Sequence, residues 1–330
     1  MLLTFDDSRR ICYTSDLMES PNITLLSDPQ KIRGMRGKPA WFKIKLPSGA
    51  ANARFEQIRK TAREGRLATV CEEAKCPNIY ECWGGGTATF MVMGDTCTRA
   101  CRFCAVKTGN PEGILDADEP RNLSQAIRDM KLDYAVVTSV DRDDIFDGGA
   151  GHFAECIREV KKLNPELILE VLTPDFAGNL DDVKVVAEAK PHVFGHNVET
   201  VPRLQKSVRD SRANYEQSLA VLQYVKEYDK SIYTKSAIML GLGEEEEEVV
   251  DVMKDLRRVG VDVFTIGQYL RPSSWHLAIE HFIKPEQFEW YRKKGEELGF
   301  LYVAAGPFVR SSYKAGELFM KNIIRKKSAK

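Results

Sequence analysis

The chain has 330 residues, of which 43% are hydrophobic and 29% are charged, the composition of an ordinary soluble globular protein. Lys plus Arg and Asp plus Glu each number 48, so overall charge gives no basis for nucleic acid or a membrane as a partner. No apolar run approaches the ~20 residues of a membrane span, and the early acids Asp6 and Asp7 disfavour a secretory signal or an acid-poor organelle presequence.

Residues 1 to about 50 show no sustained periodicity. Proline and glycine punctuate residues 1–50, which predicts an irregular N-terminal arm. A helix is expected from about Ala53 to Glu64, inside an extension that covers residues 51–88. This extension carries three of the chain's eight cysteines.

From Thr89 onward, short apolar segments alternate with amphipathic helical stripes. The predicted strands are residues 89–94, 134–140, 167–172, 193–197, 232–240 and 261–267, with a last strand at 301–304. Helices are predicted after Asn122 and Asn179 as N-caps, over residues 151–163, 215–225 and 249–256, and from Pro285. Such alternation predicts parallel β/α units with right-handed crossovers. Six units are too few for a closed eight-fold barrel, so we predict an α/β fold, a partial (β/α)6 TIM-like barrel over residues 89–305, followed by a C-terminal tail at 306–330.

Polar residues and glycines follow the predicted strands. They include Asp147–Gly149, Thr173–Asp175, His196–Glu199, Gly241–Glu244 and Gly267–Tyr269. Because the C-terminal ends of the strands build the active site of β/α barrels, one shared site is predicted there. The five glutamates at 244–248 are instead interpreted as a solvated helix start favoured by the helix dipole.

Six cysteines fall into two groups. The first cysteine group is Cys71, Cys76 and Cys82, spaced C-x4-C-x5-C, and the second is Cys97, Cys101 and Cys104, spaced C-x3-C-x2-C. In a large soluble chain, tight groups of this kind bind metal or carry redox chemistry more often than they form disulfides. Cys156 lies in an apolar helical pattern and is predicted to be a core residue, and Cys12 has no assigned role.

Three thiolates on one short loop can hold three corners of a cubane iron–sulfur cluster. The fourth iron then stays open for a substrate or cofactor, as in catalytic metal sites generally. The second cysteine group has this arrangement, and Phe103 is placed to pack against a bound ring. Structural zinc is the alternative, although the x3 spacing disfavours it. For the first group alone, zinc or plain thiols remain alternatives.

The second cysteine group, which follows a strand and opens a β/α barrel, resembles the motif of the radical S-adenosylmethionine (SAM) enzymes. The resemblance implies a [4Fe-4S] cluster whose open iron binds SAM and whose electron generates a 5′-deoxyadenosyl radical. It further implies that Gly148 and Gly149 lie near the methionine part of SAM and Gly241 near the adenine.

The spacing of the first group, the Arg310–Tyr313 segment (RSSY) and the blocks VVTSVDRDD, LTPDF, HNVETV and MLGLGE resemble the lipoyl synthase family from about Lys38 to Lys321. The resemblance implies a second, auxiliary [4Fe-4S] cluster held by the first cysteine group and Ser312. It implies that this cluster is consumed as the sulfur donor for C6 and C8 of a protein-bound octanoyl-lysine, with two SAM molecules used per product. Asn197, Glu199 and Arg209 are expected in the SAM pocket, and no catalytic residue is expected beyond the clusters.

The partners implied are octanoylated lipoyl carrier domains (the E2 subunits of 2-oxoacid dehydrogenases and the glycine-cleavage H protein) and an electron donor such as flavodoxin or ferredoxin. Bacterial cytoplasm is the expected compartment, with a mitochondrial matrix as the alternative. Two other functions stay open: a different radical SAM enzyme that inserts sulfur or methylthiolates another substrate, and a non-catalytic metal or electron-transfer protein.

Overall fold

The computed structural model describes residues 39, 50–64, 68–73, 76–312 and 323–324. Most of the predicted N-terminal arm, including Cys12, lies outside these residues, and so does Tyr313. None of the helices in the described part of the chain combines the length and the apolar character that crossing a bilayer requires.

The N-terminal extension contributes three short helices and one short strand. They are α1 (Ala50–Glu64), β1 (Ala68–Thr69), α2 (Val70–Glu73) and α3 (Ile79–Gly84). Helix α1 packs on α3, where the rings of Phe55 and Trp83 lie 5.3 Å apart. Two cysteines of the first group, Cys71 and Cys82, belong to the same buried apolar cluster. The apolar core of the extension is therefore continuous with that of the barrel.

The remaining elements alternate as predicted. Those up to residue 172 are β2 (Thr87–Val92), β3 (Thr96–Cys97), β4 (Lys107–Thr108), α4 (Glu119–Asp129), β5 (Tyr134–Ser139), α5 (Ala150–Leu163) and β6 (Ile168–Leu172). Those that follow are α6 (Leu180–Glu188), β7 (Val193–Gly195), α7 (Gln205–Val208), α8 (Tyr215–Tyr228), β8 (Tyr233–Leu240), α9 (Glu246–Arg258), β9 (Val263–Gln268), α10 (Pro285–Glu297) and β10 (Tyr302–Gly306).

The main sheet has eight strands in the order β1-β2-β5-β6-β7-β8-β9-β10. All neighbours from β2 to β10 are parallel, and only β1 pairs antiparallel, with β2. β1 and β10 are the two ends of this order, so within the described residues the sheet is open. The predicted partial barrel of six β/α units is therefore confirmed, and the extra antiparallel edge strand is a feature that the sequence pattern did not reveal.

Two local predictions were wrong. Asn122 does not cap α4, because the helix begins at Glu119, with Pro120 in the first turn, where its fixed φ suits the helix. The glutamates at 244–248 are not all solvated: Glu244 is buried, and its carboxylate accepts the amides of Gly241 (2.5 Å) and Leu242 (2.9 Å). By contrast, Asn179 caps α6 as predicted and accepts the Asp181 amide at 3.1 Å.

The N-terminal end of the barrel is closed by the first residues of its strands. Their side chains form one buried apolar cluster made of Tyr134, Val136, Ile168, Val193, Tyr233 and Val263. Above them, buried Lys235 donates to Glu170 at 2.7 Å, and Glu170 also accepts the Tyr134 hydroxyl. Because this end is filled, the interior of the barrel has room for a ligand towards the C-terminal ends of the strands. Cys156 is fully buried in the helical layer, as predicted.

Candidate functional site

A cavity of about 230 Å³ lies at the C-terminal ends of the strands. It draws lining residues from the segments after β2, β5, β6, β7 and β10, but not from those after β8 and β9. One shared site is therefore present, although three of the predicted groups, Asp147–Gly149, Gly241–Glu244 and Gly267–Tyr269, do not line it. The polar and sulfur-bearing residues that line it are Cys97, Arg99, Cys101, Cys104, Asp141, Asp175, His196, Asn197, Glu199, Arg209, Ser311 and Ser312.

The second cysteine group faces this cavity with all three thiols, and none of them is in a disulfide. Burial raises the pKa of Cys97 to about 11, with a further contribution from the Asp141 carboxylate, and it raises the pKa of Cys101 to about 12. Such thiols stay protonated at neutral pH unless a cation replaces the proton. Three closely spaced sulfur donors that need a cation fit an iron–sulfur cluster.

Arg99, inside the cysteine loop, joins that loop to two strand ends. Its buried guanidinium lies 3.1 Å from Asp141, 2.8 Å from Asp143 and 2.8 Å from Asp175. Burial raises the pKa of Asp141 to about 6, and Arg99 opposes this effect. The second oxygen of Asp175, Oδ2, is buried, accepts no hydrogen bond from the described residues, and has the Arg209 guanidinium 4.0 Å away. Since Asp175 lines the cavity, this oxygen is available to a ligand.

The residues that follow α7 also hold the loop that carries the second cysteine group. Asp210 accepts the Ala100 amide at 2.9 Å, and its own amide donates to Cys101 Sγ at 3.3 Å. Arg212 donates to Asp210 at 2.8 Å and to the Thr98 carbonyl at 2.7 Å. The loop that carries the second cysteine group is thus fixed by charged groups on both sides. Sequence reasoning missed Asp210 and Arg212, because no local pattern marks them.

Of the residues predicted in the SAM pocket, Phe103, Asn197, Glu199 and Arg209 line the cavity. The Asn197 amide donates to Glu199 at 3.0 Å, and burial raises the pKa of Glu199. Arg209 donates to Ser218 on α8 at 2.8 Å, and its nearest carboxylate is Asp175 at 4.0 Å. These four stay predictions as SAM contacts.

The three predicted glycines are not among the lining residues. Gly148 and Gly149 lie at the start of α5, and Gly241 follows β8. Gly241 has φ +103°, and a Cβ there would lie 2.6 Å from the His281 carbonyl oxygen. Glycine at this position is therefore explained by backbone packing whether or not SAM lies nearby.

The first cysteine group lies beside the same cavity. Cys71 follows Val70, a lining residue, and burial raises its pKa to about 11, with the nearby Cys76 thiol adding to the rise. The Cys76 amide donates to the Cys71 carbonyl at 3.0 Å. Ser312, which follows β10, reaches the same cavity wall. The Cys71 and Cys76 thiols are close enough to interact, and Ser312 lines the same cavity as Val70, an arrangement that fits a second cluster with one oxygen ligand.

Comparison with known proteins agrees with this geometry. Residues 91–256 match the model of the Radical SAM superfamily. The fold is similar to that of the FeFe-hydrogenase maturase HydG from Carboxydothermus hydrogenoformans, with a TM-score of 0.50 and 14% identity, over 82% of this chain and 78% of that one.

Closer relatives name one enzyme. The lipoyl synthase of Myxococcus xanthus is 57% identical over 88% of this chain and 96% of its own length. The mitochondrial lipoyl synthase of Xenopus laevis is 53% identical over 88% of this chain and 79% of its own. Identity at this level over 88% of the chain argues against a non-catalytic metal protein. The chain belongs to the lipoyl synthase family of radical SAM sulfurtransferases.

Proposed function

We propose that this chain inserts two sulfur atoms, at C6 and C8, into an octanoyl chain that is amide-linked to a lysine of a carrier protein. The observation that carries the proposal is one cavity that the second cysteine group lines directly and that Val70, the chain neighbour of Cys71, and Ser312 also line. A carbon radical and its sulfur donor must meet at near-contact distance, which a shared cavity allows.

In this proposal each cysteine group holds one [4Fe-4S] cluster. The second group leaves an open iron for SAM, and the first group, completed by Ser312, holds the auxiliary cluster. When bound, SAM and the two clusters supply the radical that removes hydrogen and the sulfide that replaces it. The extension at 51–88 and the tail at 306–330 form the auxiliary site, the barrel at 89–305 forms the SAM site, and the arm at 1–50 keeps no assigned role.

The protein's own residues bind, orient and exclude water. Phe103, Asn197, Glu199 and Arg209 surround SAM, and Asp175 Oδ2 offers an acceptor to it. Met91, Val140 and Leu172 give the cavity apolar walls, which suit an acyl chain and keep water away from a radical. The resemblance further places Gly148, Gly149 and Gly241 on the SAM side.

The partners follow from this chemistry. The substrate is an octanoylated lipoyl carrier domain, from a 2-oxoacid dehydrogenase E2 subunit or the glycine-cleavage H protein. The electron comes from a low-potential carrier such as flavodoxin or ferredoxin. We place the reaction in the cytoplasm, with the mitochondrial matrix as the alternative, since the Xenopus relative is mitochondrial by name.

An anaerobic turnover assay tests the proposal. The protein is loaded with iron and sulfide, then given dithionite, SAM and an octanoyl-lysyl peptide, and the peptide is followed by mass spectrometry. A gain of two sulfurs for two hydrogens is expected, together with loss of auxiliary iron. The matched variant Cys76→Ala is expected to release deoxyadenosine without adding sulfur.

Two other outcomes contradict the proposal at different points. Deoxyadenosine from the loaded protein without any change in the peptide, or in an octanoylated carrier domain, points to a different sulfur-inserting substrate. Absence of deoxyadenosine from a fully loaded protein overturns the radical function itself.

A further inference from the structure

The segment after β10 is held firmly against the first cysteine group. The Asn78 side-chain amide, between Cys76 and Cys82, donates to the Phe308 carbonyl at 2.6 Å. On the opposite side, a Cβ added at Gly267 of β9 would lie only 2.1 Å from the Val309 carbonyl oxygen. The segment after β10 therefore runs in a narrow channel between the Cys76–Cys82 segment and strand β9.

Arg310 occupies this channel with its guanidinium only partly satisfied. Nη1 donates to the carbonyls of Val309 (2.7 Å) and Gln268 (3.3 Å). Within the described part of the chain, Nη2 is buried and has no hydrogen-bond partner. None of the ion pairs among the described residues involves Arg310, and the Cys76 thiol is close enough to interact electrostatically with its guanidinium.

A buried cation without an anion is costly, because the guanidinium loses its hydration and gains no Coulomb attraction in return. The octanoyl chain is uncharged and cannot supply that anion. A [4Fe-4S] cluster bound by thiolates and a serine oxygen carries net negative charge, and its sulfurs accept hydrogen bonds.

We infer that Arg310 is the counter-cation of the auxiliary cluster, with Nη2 donating to a sulfur of the cluster or of Cys76. This rests on the proposed function insofar as the first cysteine group must hold a cluster. The role differs from that of Ser312: Arg310 coordinates no iron, and it stabilises the negative charge that the ligands bring together. It is a positioning residue of the sulfur donor.

The test isolates the auxiliary site. In a chain in which Cys97, Cys101 and Cys104 are all alanine, any [4Fe-4S] cluster is the auxiliary one. Arg310→Gln is expected to release iron to a chelator about tenfold faster than this parent, the size typical of a lost partner next to a metal ligand. It is also expected to shift the reduction potential of the cluster to more negative values, because a positive charge that favours the reduced form is gone. Arg310→Lys should restore part of both properties.

Arg257→Gln is the matched control. Its guanidinium also has one buried nitrogen without a partner, Nε, but it lies over the Phe300 ring, on α9 and away from both cysteine groups. Equal iron release and an equal potential in Arg310→Gln and the parent overturn the inference. A parent that binds no cluster at all overturns the auxiliary cluster and the Arg310 role together, so the two failures are distinguishable.

A further variant, whose melting temperature is measured with and without the cluster, separates the proposed role of Arg310 from a simple folding defect. Arg310→Met removes the charge but keeps most of the side-chain volume. It is expected to lower the melting temperature of the cluster-loaded parent, because the cluster loses its counter-cation. In the same parent after iron removal it should raise or preserve the melting temperature, because an unpaired buried cation is gone. Melting temperatures that fall in both states show a purely structural role and overturn the inference.

Discussion

The backbone amide of Asp210 donates to the sulfur of Cys101 at 3.3 Å, while the Asp210 carboxylate accepts the Ala100 amide at 2.9 Å. One residue therefore fixes the cysteine loop and also places a dipole against a sulfur. Hydrogen bonds to sulfur and fixed ligand geometry tune the potential of a bound cluster and its retention.

Asp210→Ala is expected to retain less of the SAM-binding cluster. It is also expected to form deoxyadenosine about tenfold more slowly, or slower still. Iron at the first cysteine group should stay at its normal level. Iron per chain and deoxyadenosine release, measured under reduction, check this. The control is Arg203→Gln, which removes an exposed pair with Glu248, and surface pairs of this kind contribute little to stability. A variant at Asp210 that behaves like the control contradicts the assignment.

Asp175→Asn is expected to weaken SAM binding by about tenfold, because a buried acceptor loses its charge. The comparison is Asp143→Asn: both carboxylates bind Arg99, but only Asp175 lines the cavity. Equilibrium binding of SAM to the loaded protein separates the two. Equal losses of affinity in the two variants mean that Asp175 acts only through Arg99.

Gly267→Ala is expected to displace the segment that carries Arg310 and Ser312. A methyl group 2.1 Å from the Val309 oxygen cannot be accommodated without backbone movement, and overpacking of this kind costs about 1–3 kcal/mol. Iron at the first cysteine group should fall, with the melting temperature. Gly306, the register partner of Gly267, is the control, since its added Cβ meets a movable Val309 methyl at 3.3 Å. Full retention of auxiliary iron in Gly267→Ala counts against docking by this channel.

His196 makes stability depend on acid pH. The imidazole is buried, and in its neutral form Nδ1 donates to the Thr173 carbonyl at 2.9 Å. Burial lowers its pKa from 6.5 to about 4. The unfolded chain binds the proton first as pH falls, so stability is complete above about pH 6.5 and decreases towards pH 4, by roughly 3 kcal/mol in all.

The melting temperature of the loaded protein, followed anaerobically from pH 7.5 to 5.5, should therefore decrease with acidification. His196→Gln is expected to melt lower at pH 7.5 but to depend less on pH. Parallel pH profiles for the two proteins show that His196 is not the group responsible.

The strands and the two cysteine groups were predictable because their signals are local: short apolar runs in the sequence, and thiols a few positions apart. Asp141 and Asp175 were visible in the sequence as polar residues that follow apolar runs. Their shared ion pairs with Arg99 could not be predicted from the sequence. That contact depends on three segments meeting in space, and no local pattern records it.

Asp210 and Arg212 show the same limit. They act on a loop more than a hundred residues earlier, as in the Asp210–Ala100 hydrogen bond, and in sequence they look like a surface charge pair. Glu244 was predicted wrongly for a different reason. Its acidic neighbours suggested that it is exposed to solvent, but a turn brings its carboxylate back to the Gly241 and Leu242 amides, where it is buried.

The two cysteine groups also differ in when they can be completed during synthesis. Cys97, Cys101 and Cys104 come from one short loop, while the first group meets Ser312 and Arg310 across the two edges of an open sheet, β1 and β10. Asn78, inside the first group, and its contact Phe308 are 230 positions apart in the chain, so the whole barrel between them must be translated before that second meeting is possible. The SAM site can therefore assemble on a shorter growing chain, whereas the proposed sulfur donor must be installed after the barrel has been translated, and again after each turnover that consumes it.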